Sequence, residues 1–340
     1  MKTLIICCSH LYVPATLSYI LNKSGEKFVI YTDKDSLYTL FKNSDFESID
    51  VILEKELFNR VIDYFVHYIE FCRYKRKLLR KFSSMGIDEI LFFHDGYCET
   101  ANWLIMKLSK HARVKYFPVC SSRANADETL PVLFKNRVLD VLSYILWRVP
   151  VQRLSIDSGC SYNPFLKQSF FDRIKVETIN IEIDEQKISD NFNKICPQFN
   201  QKNRIVLLQN DHVGICVTEE NYKNLINKII KYLTTDHIYF KSHPDRIRTY
   251  GDEEKCEMLP NYVSANIMLK RFNCYIGYSS TVIAEAAKAG ILSISLMHIL
   301  PASNVEIANS LEAYLKNIST NILFPKDLNE FFSIIQDKFK

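Results

Sequence analysis

The sequence contains little glycine and no repeated segment. Only eight of its 340 residues are glycine, which excludes a collagen-like chain or a protein dominated by glycine-rich linkers. No apolar run is long enough to cross a bilayer, and the strand-like run that begins at Thr3 lacks the architecture of a secretory signal. We therefore expect a globular chain that works in the cytoplasm.

The cysteines also lack the spacing that would give them a special role. There are ten, with no CxxC pair, and several lie in apolar runs, among them Cys7, Cys8 and Cys274. This distribution predicts reduced thiols in a core, not a disulfide framework, and it predicts no metal site.

Charge is balanced as well. The formal net charge is +4, with 24% charged and 47% hydrophobic residues. An excess this small does not indicate a dedicated nucleic-acid-binding protein. The length and the apolar content are sufficient for two domains, each with its own core.

Short apolar runs alternate with helix-like stretches along most of the chain. The predicted strands are 3–8, 27–32, 49–53, 90–93, 114–119, 176–181, 205–209, 237–241, 274–277 and 291–296. Helices are predicted between these strands, among them 54–82, 219–233 and 264–271. This alternation is typical of βαβ units and parallel sheets. We expect an α/β protein with a first Rossmann-like domain at 1–150, an irregular joint at 151–203 and a second Rossmann-like domain at 204–340, the two facing a cleft.

Polar side chains follow three of the predicted strands. The segments are His94-Asp95-Gly96, Ser242-His243-Pro244 and Ser279-Ser280-Thr281, the last of which opens a helix that ends before Gly290. In open parallel sheets, ligands bind outside the carboxyl ends of the strands. A carboxylate base, an imidazole and hydroxyls at a helix N-terminus could together displace a phosphate leaving group.

Each of these segments also has a purely structural interpretation. Ser and Thr before a helix act as N-caps, and Asp-Gly after a strand forms turns. His-Pro is a rigid corner, because proline holds the preceding residue extended. A polar loop such as the one at Gln209 and Asn210, or at Ser9 and His10, often carries no function.

The order and spacing of these motifs resemble those of the bacterial GT-B sialyltransferases, which include the lipooligosaccharide sialyltransferases (glycosyltransferase family 52) and the polysialyltransferases. An acidic-Gly motif, a His-Pro motif and a Ser-Ser-Thr motif about 35 residues later span roughly residues 90–290. The resemblance implies two Rossmann-like domains, a CMP-sialic acid donor and no metal or other cofactor.

The same resemblance implies roles for single residues. Asp95 is similar to the general base and Gly96 to its turn partner, while His243 is similar to the residue that protonates or binds the departing phosphate. Pro244, Ser279 and Ser280 match the donor-binding motifs, and Lys241 lies at a strand end that contacts the nucleotide in the family. The sequence departs from the pattern at His94, where many relatives have a second acidic residue, so His94 could tune Asp95 or share its role.

Further candidates surround these motifs. Thr281, Gln209 and Asn210 are expected on the donor side. Ser9 and His10 are expected on the acceptor side. Arg246 belongs to a basic group that could hold phosphate or a sugar carboxylate, or could be a solvated surface.

These interpretations lead to an inverting, metal-independent sialyltransferase that acts on a bacterial surface glycan such as lipooligosaccharide, O-antigen or capsule. The alternatives are the same fold with CMP-Kdo or a UDP- or GDP-sugar, a sugar-nucleotide epimerase, and a nucleotide- or glycan-binding protein without catalysis. A homodimer is left open.

The segment Arg73 to Lys81 carries six basic residues with interleaved leucines. A basic amphipathic helix can lie on an anionic membrane surface, which would suit a glycolipid acceptor. A solvated helix face or a subunit contact explains the pattern equally well.

Overall fold

The structure is a computed structural model, and it describes residues 1–23, 25–55, 57–58, 61–93, 99–117, 138, 141–142, 144–147, 174–196, 205–209, 216–233, 238–244, 252–300, 302 and 304–339. The chain divides into two compact units, Met1–Ile183 and Asp184–Lys340. The change of unit falls within residues 151–203, where the sequence predicts a joint. The predicted domain bounds and the cleft stay predictions.

The first unit is built on a six-stranded sheet. Its strands are β1 (Lys2–Ile6), β2 (Lys27–Thr32), β3 (Ile49–Leu53), β4 (Glu89–Phe93), β5 (Arg113–Phe117) and β6 (Val176–Thr178). All neighbours are parallel in the order β3-β2-β1-β4-β5-β6. Strands β1, β2 and β4 are almost wholly buried, as expected for parallel strands covered on both faces.

Helices connect these strands. They are α1 (Val13–Leu21), α2 (Asp35–Lys42), α3 (Val61–Val66), α4 (Tyr68–Ser83) and α5 (Glu99–Leu108), with a 3₁₀ turn at His10–Tyr12. The prediction of one helix over 54–82 is wrong at its start, because the N–H of Glu54 donates to the carbonyl of Thr32 at 3.0 Å and prolongs the β3 ladder. The helical stretch begins only at Val61.

The second unit repeats the same strand order. Its strands are β7 (Ile205–Leu208), β8 (Ile238–Lys241), β9 (Glu257–Met258), β10 (Cys274–Gly277) and β11 (Leu292–Ser295), all parallel in the order β11-β10-β7-β8-β9. The helices are α6 (Glu185–Asp190), α7 (Phe192–Ile195), α8 (Glu219–Leu233), α9 (Thr281–Lys288), α10 (Val305–Ile318) and α11 (Leu328–Phe339). The prediction of an α/β protein with two parallel sheets is confirmed.

The predicted helix at 264–271 is wrong. The segment forms two short 3₁₀ turns, Ala265–Ile267 and Leu269–Arg271. The N–H of Arg271 donates to the carbonyl of Met268 at 2.8 Å, which is the i→i+3 bond of a 3₁₀ turn. The hydroxyl of Tyr275 donates to the same carbonyl at 2.8 Å.

The predicted end of helix α9 is confirmed. Gly290 has φ +79, the left-handed conformation that glycine adopts without steric cost. The N–H of Ile291 returns to the carbonyl of Ala286 at 2.9 Å. This closure turns the chain directly into β11.

A buried carboxylate holds together the start of β4, β5 and the end of α1. Glu89 is 0% exposed, and its carboxylate pairs with Lys115 at 2.8 Å, Arg113 at 3.6 Å and Lys23 at 3.8 Å. The hydroxyl of Tyr19 also donates to it. Burial raises the pKa of Glu89, but the hydrogen bonds from Lys115 and Tyr19 outweigh burial and hold the pKa below its ordinary value.

We expect Glu89→Gln to lower the free energy of unfolding by about 2 kcal/mol. Breaking a wholly buried pair costs about 3–5 kcal/mol, but Arg113 and Lys23 reach solvent here. Urea denaturation followed by tryptophan fluorescence measures this in the right unit, because Trp103 and Trp147 both lie in it. The control Lys55→Gln, which breaks an exposed pair with Asp35 at 2.6 Å in the same unit, should cost about 0.5 kcal/mol or less.

The same cluster predicts an acid-sensitive contribution to stability. Because the pKa of Glu89 is lower in the folded chain, its contribution is complete above the unfolded pKa of about 4.3 and is lost as pH falls below it. The difference between wild type and Glu89→Gln should therefore shrink as pH falls below about 4. A difference that stays constant with pH would contradict the ionised cluster.

Candidate functional site

The repeated strand order creates one topological switch point in each sheet. In the first sheet it lies between β1 and β4, and in the second between β7 and β10. At such a point the two connections leave in opposite directions, which opens a crevice beyond the strand ends where ligands bind. The segments that follow these strands include most of the predicted site residues.

The register of the second sheet brings three strand ends to one level. Ile276 lies opposite Leu207, and Leu208 lies opposite Lys241. The next residues along β10, β7 and β8 therefore emerge side by side. This places the segments at Ser279, Gln209 and His243 at the same edge of the sheet.

Gly277 allows helix α9 to begin close to this edge. A Cβ at this position would lie 3.0 Å from Cδ1 of Ile283 and 3.2 Å from Cβ of Leu208. Both distances are tighter than ordinary van der Waals contact, so a side chain here would require Ile283 and Leu208 to shift by a few tenths of an ångström. The helix N-terminus is thereby kept near the ends of the neighbouring strands.

Gln209 fixes the backbone of His243. Gln209 is buried, and its Oε1 accepts a hydrogen bond from the N–H of His243 at 3.0 Å. Its own N–H donates to the carbonyl of Lys241 at 3.0 Å. With Pro244 restricting the backbone from the other side, the position of His243 is set by β7 and by the proline together. The side chain of His243 is partly exposed.

Lys241 is a buried cation at the end of β8. It is 2% exposed, and its Nζ donates to the carbonyls of Ser242 at 2.6 Å and Asn261 at 3.2 Å. Burial lowers the pKa of Lys241 to about 7. These contacts brace the turn that carries His243, and direct donor contact by Lys241 stays a prediction.

Ser280 caps helix α9 weakly. Its Oγ accepts from the N–H of Val282 at 3.4 Å, whereas the cap of α10 joins Asn304 to Ile307 at 3.1 Å. Typical N–H···O hydrogen bonds measure 2.7–3.2 Å. The N-terminal N–H groups of α9 are therefore incompletely satisfied by the cap, which is what an anion site at a helix N-terminus requires.

The first turn of α9 also carries no acidic residue. Four of the other described helices of the second unit place a carboxylate there: Glu185 in α6, Glu219 and Glu220 in α8, Glu306 in α10 and Glu330 in α11, whereas the four-residue α7 has none. A carboxylate in the first turn compensates the positive end of the helix dipole. In α9 no carboxylate of the first turn compensates this positive end, so it can bind an anion from outside the helix. Ser279 and Thr281 flank it, and both are partly exposed.

The edge of the first sheet gathers the acceptor-side candidates. Ser9 accepts from the N–H of Leu11 at 3.4 Å, and Nε2 of His10 lies 2.8 Å from Oγ of Ser36. Tyr12 stacks on Phe93 with ring centroids 5.1 Å apart. Since Phe93 ends β4, this contact holds the Ser9-His10 segment beside the end of that strand.

Five predicted site residues lie outside the described part of the chain. They are His94, Asp95, Gly96, Asn210 and Arg246. Their roles stay predictions from the sequence.

Sequence reasoning did not single out three polar residues near these edges. Ser36 pairs with His10, and the carbonyl of Asn261 supports Lys241. Glu285, one turn into α9, is a carboxyl group whose pKa burial, together with the nearby Glu185, raises to about 7. A single glutamate in an alanine-rich helix gives no sign of burial, and the two other contacts depend on tertiary register.

The described residues contain no group of three or more His, Cys, Asp or Glu side chains arranged to hold a metal ion. The seven cysteines among them are thiols outside any disulfide, and six of these are buried. No helix in the described ranges has both the length and the apolar character needed to span a membrane.

Comparison with known proteins finds similarity in structure only. No protein-family model matches the sequence, and no curated protein matches it. UDP-GlcNAc 2-epimerase from Methanocaldococcus jannaschii is similar with a TM-score of 0.46 and 12% identity, over 99% of this chain and 92% of that one. E. coli heptosyltransferase WaaC with ADP-2-deoxy-2-fluoro heptose gives 0.45 and 11%, over 99% of both chains. The glycosyltransferase SnogD from Streptomyces nogalater gives 0.40 and 11%, over 97% of this chain and 99% of that one. Similarities at this level do not identify an activity.

The buried Lys241 should make stability rise with pH. Its pKa of about 7 is below the ordinary value of about 10.4, so between these values the unfolded chain binds more protons and the free energy of unfolding increases with pH. Relative to Lys241→Met, wild type should gain up to about 1.4 kcal/mol per pH unit between pH 7 and 9. Urea denaturation followed by circular dichroism measures this, with the exposed Lys231→Met as a control that shows no such trend. A pH-independent difference would mean that the two carbonyls keep the ammonium charged.

Proposed function

We propose that the protein is a GT-B glycosyltransferase that transfers sialic acid, or a related nonulosonic acid, from its CMP donor to a sugar hydroxyl. The observation that carries this proposal is the row of strand ends in the second sheet, where Gln209 fixes His243 beside the weakly capped N-terminus of α9. The motif order noted in the sequence supports the choice of donor.

The N-terminus of α9 suits the phosphate of CMP. It combines a positive dipole end, hydroxyls from Ser279, Ser280 and Thr281, and no competing carboxylate in the first turn. A phosphate that leaves with a full negative charge is stabilised most by groups already oriented before the reaction. The packing of Gly277 against β7 supplies this orientation.

His243 suits the role of the group that donates to the leaving phosphate. Its backbone is held by Gln209 and Pro244, while its imidazole is partly exposed at the same edge as the hydroxyls. An imidazole titrates near neutral pH and can donate either a hydrogen bond or a proton. As the bond from the sugar to the phosphate breaks, the phosphate oxygen gains this hydrogen bond.

In this proposal Asp95 removes the proton of the acceptor hydroxyl, whose oxygen attacks the anomeric carbon opposite CMP. Direct displacement inverts the configuration at that carbon and needs no metal. In the sequence Asp95 comes two residues after Phe93, the end of β4, and Phe93 stacks on Tyr12 near the Ser9-His10 segment. His10, paired with Ser36, is then a candidate for contact with the acceptor.

The proposal is tested by CMP release from CMP-sialic acid, with EDTA present, in the presence and absence of a galactose-terminated acceptor. We expect release that the acceptor stimulates. Folded protein that does not bind CMP would refute the donor, and conversion of a UDP-sugar without any acceptor would indicate an epimerase instead. Asp95→Asn with wild-type turnover would refute the base.

His243→Ala should lower turnover by about 10²–10⁴, the usual contribution of a positioned acid or base. The hydrogen bond to Gln209 uses the backbone N–H and survives this substitution, so the fold should be retained. The control is His298→Ala, which removes a surface imidazole paired with Glu312 at 3.0 Å and should leave turnover unchanged. An unfolded His243→Ala variant would support the structural-corner interpretation.

Two N-caps of the second unit separate donor binding from helix stability. Asn304→Ala should cost about 1 kcal/mol of stability as a lost cap, and Ser280→Ala should cost less, because its cap bond is longer. Only Ser280→Ala should also weaken donor binding. It should raise KM for the donor by about 10- to 100-fold, since hydrogen bonds to charged groups contribute about 1.5–3 kcal/mol. Equal KM values for the two variants would contradict a phosphate at α9.

A further inference from the structure

A continuous stripe of exposed side chains runs along α3 and α4. It consists of Ile62, Val66, Ile69, Arg73, Arg76 and Arg80, which we call the α3–α4 stripe. The spacing of three and four residues places all six on one face of a helix. Ile62 is 59% exposed, Val66 71% and Ile69 68%, and the three arginines are also exposed.

The stripe crosses the junction between the two helices without interruption. The N–H of His67 donates to the carbonyl of Asp63 at 2.9 Å, and that of Phe71 to the carbonyl of His67 at 3.0 Å. Hydrogen bonds with helical spacing therefore span the break at residue 67. The result is one face that is apolar in its first half and cationic in its second.

The opposite face of α4 is committed to the core. Phe71, Leu78 and Phe82 are buried there. Two of the six basic residues in the predicted basic segment are already engaged by other groups of the first unit. Nζ of Lys75 lies 4.9 Å from the ring centroid of Trp103 and donates to the carbonyl of Leu146 at 3.1 Å. Lys81 pairs with Glu54 at 2.5 Å.

The remaining four cations are left for another partner. Arg73, Arg76, Lys77 and Arg80 are exposed, and none forms an ion pair with a carboxylate in the part of the chain that the structure describes. Glu70, the acidic residue of α4, lies 3.6 Å from Nδ1 of His67. Arginine forks fit phosphate groups well, and four of these cations lie within eight residues.

We propose that the α3–α4 stripe docks the protein on a bilayer that contains anionic phospholipid. Ile62, Val66 and Ile69 enter the boundary between headgroups and acyl chains, and the arginines bind lipid phosphates. A helix that lies in the interface requires this combination of apolar and basic side chains. This inference does not depend on the proposed reaction, although it would bring the protein to a glycolipid acceptor.

A second copy of the chain fits the stripe less well. In a twofold-symmetric contact the same patch meets itself. Antiparallel stripes would cover the cations of each copy with the three apolar side chains of the other and remove them from water without a counter-charge, and parallel stripes would bring like charges together. An anionic bilayer can bind both halves of the stripe, since its acyl chains contact the apolar side chains and its phosphates bind the arginines.

The test is cosedimentation of the full chain with vesicles of phosphatidylcholine alone or with about a third phosphatidylglycerol. We expect binding only to the anionic vesicles, weakened when salt rises from about 0.1 M to about 1 M. The triple variant Arg73→Gln, Arg76→Gln, Arg80→Gln should bind about 100-fold more weakly, at about fivefold per arginine. The triple variant Ile62→Ser, Val66→Ser, Ile69→Ser should bind about tenfold more weakly or worse, and high salt should abolish what remains.

A matched control removes the same charge elsewhere. Lys223, Lys228 and Lys231 are exposed cations of α8, and replacing all three by Gln should change binding by no more than about twofold. An equal loss in this control would show nonspecific attraction and overturn the proposal. Absence of wild-type binding to anionic vesicles would overturn it too, as would a dimer that the serine variant converts to monomers in sedimentation velocity. Since no donor or acceptor is present, these outcomes are independent of the transferase test.

Discussion

Both units depend on one constraint, the parallel order in which a central strand has its first two successors on one side and the fourth strand on the other. Every strand then ends at the same edge, and every connection must return over a face of the sheet. The faces are filled by apolar side chains, so polar groups accumulate where the strands end. In the second unit this edge receives Gln209, His243 and the start of α9 because β8, β7 and β10 are neighbours.

The same edge shows how support and chemistry are divided among polar residues. Gln209 and Lys241 are buried, and their side chains form hydrogen bonds with backbone groups of His243, Ser242 and Asn261. Ser279, Ser280 and Thr281 keep their side chains partly exposed. Buried groups that are already satisfied hold a site in place, while a partly exposed hydroxyl with a long internal bond, such as that of Ser280, can bind a ligand without first breaking a strong contact. Lys241, whose Nζ donates to two carbonyls, therefore belongs to the supporting group.

Much of the fold could be predicted from the sequence, because strand-sized apolar runs and helical spacing are local signals. The bounds predicted for β2, β3, β10 and α8 agree with the structure. The failures came from hydrogen bonds to groups outside each segment: the N–H of Glu54 joins the β3 ladder through Thr32, and the hydroxyl of Tyr275 donates to the carbonyl of Met268. The sequence predicts where the candidate site lies, but not which of its residues support the backbone and which are exposed to a ligand. The hydrogen bond between Gln209 and His243 and the length of the Ser280 cap bond both depend on tertiary geometry, so neither could be predicted from the sequence.

The exposed cations of α4 show that the position of charges can matter more than the net charge of the whole chain. An excess of +4 over 340 residues argues against a strongly basic protein, yet four outward cations lie on one face of α4, as many as the whole excess. Averaged over the chain, the field they produce would be negligible. At a surface, charges within about a Debye length of each other act together, and that length is about 8–10 Å at physiological salt. The relevant quantity for binding to an anionic surface is therefore the spacing along α4, where helical geometry places successive arginines about 5 Å apart.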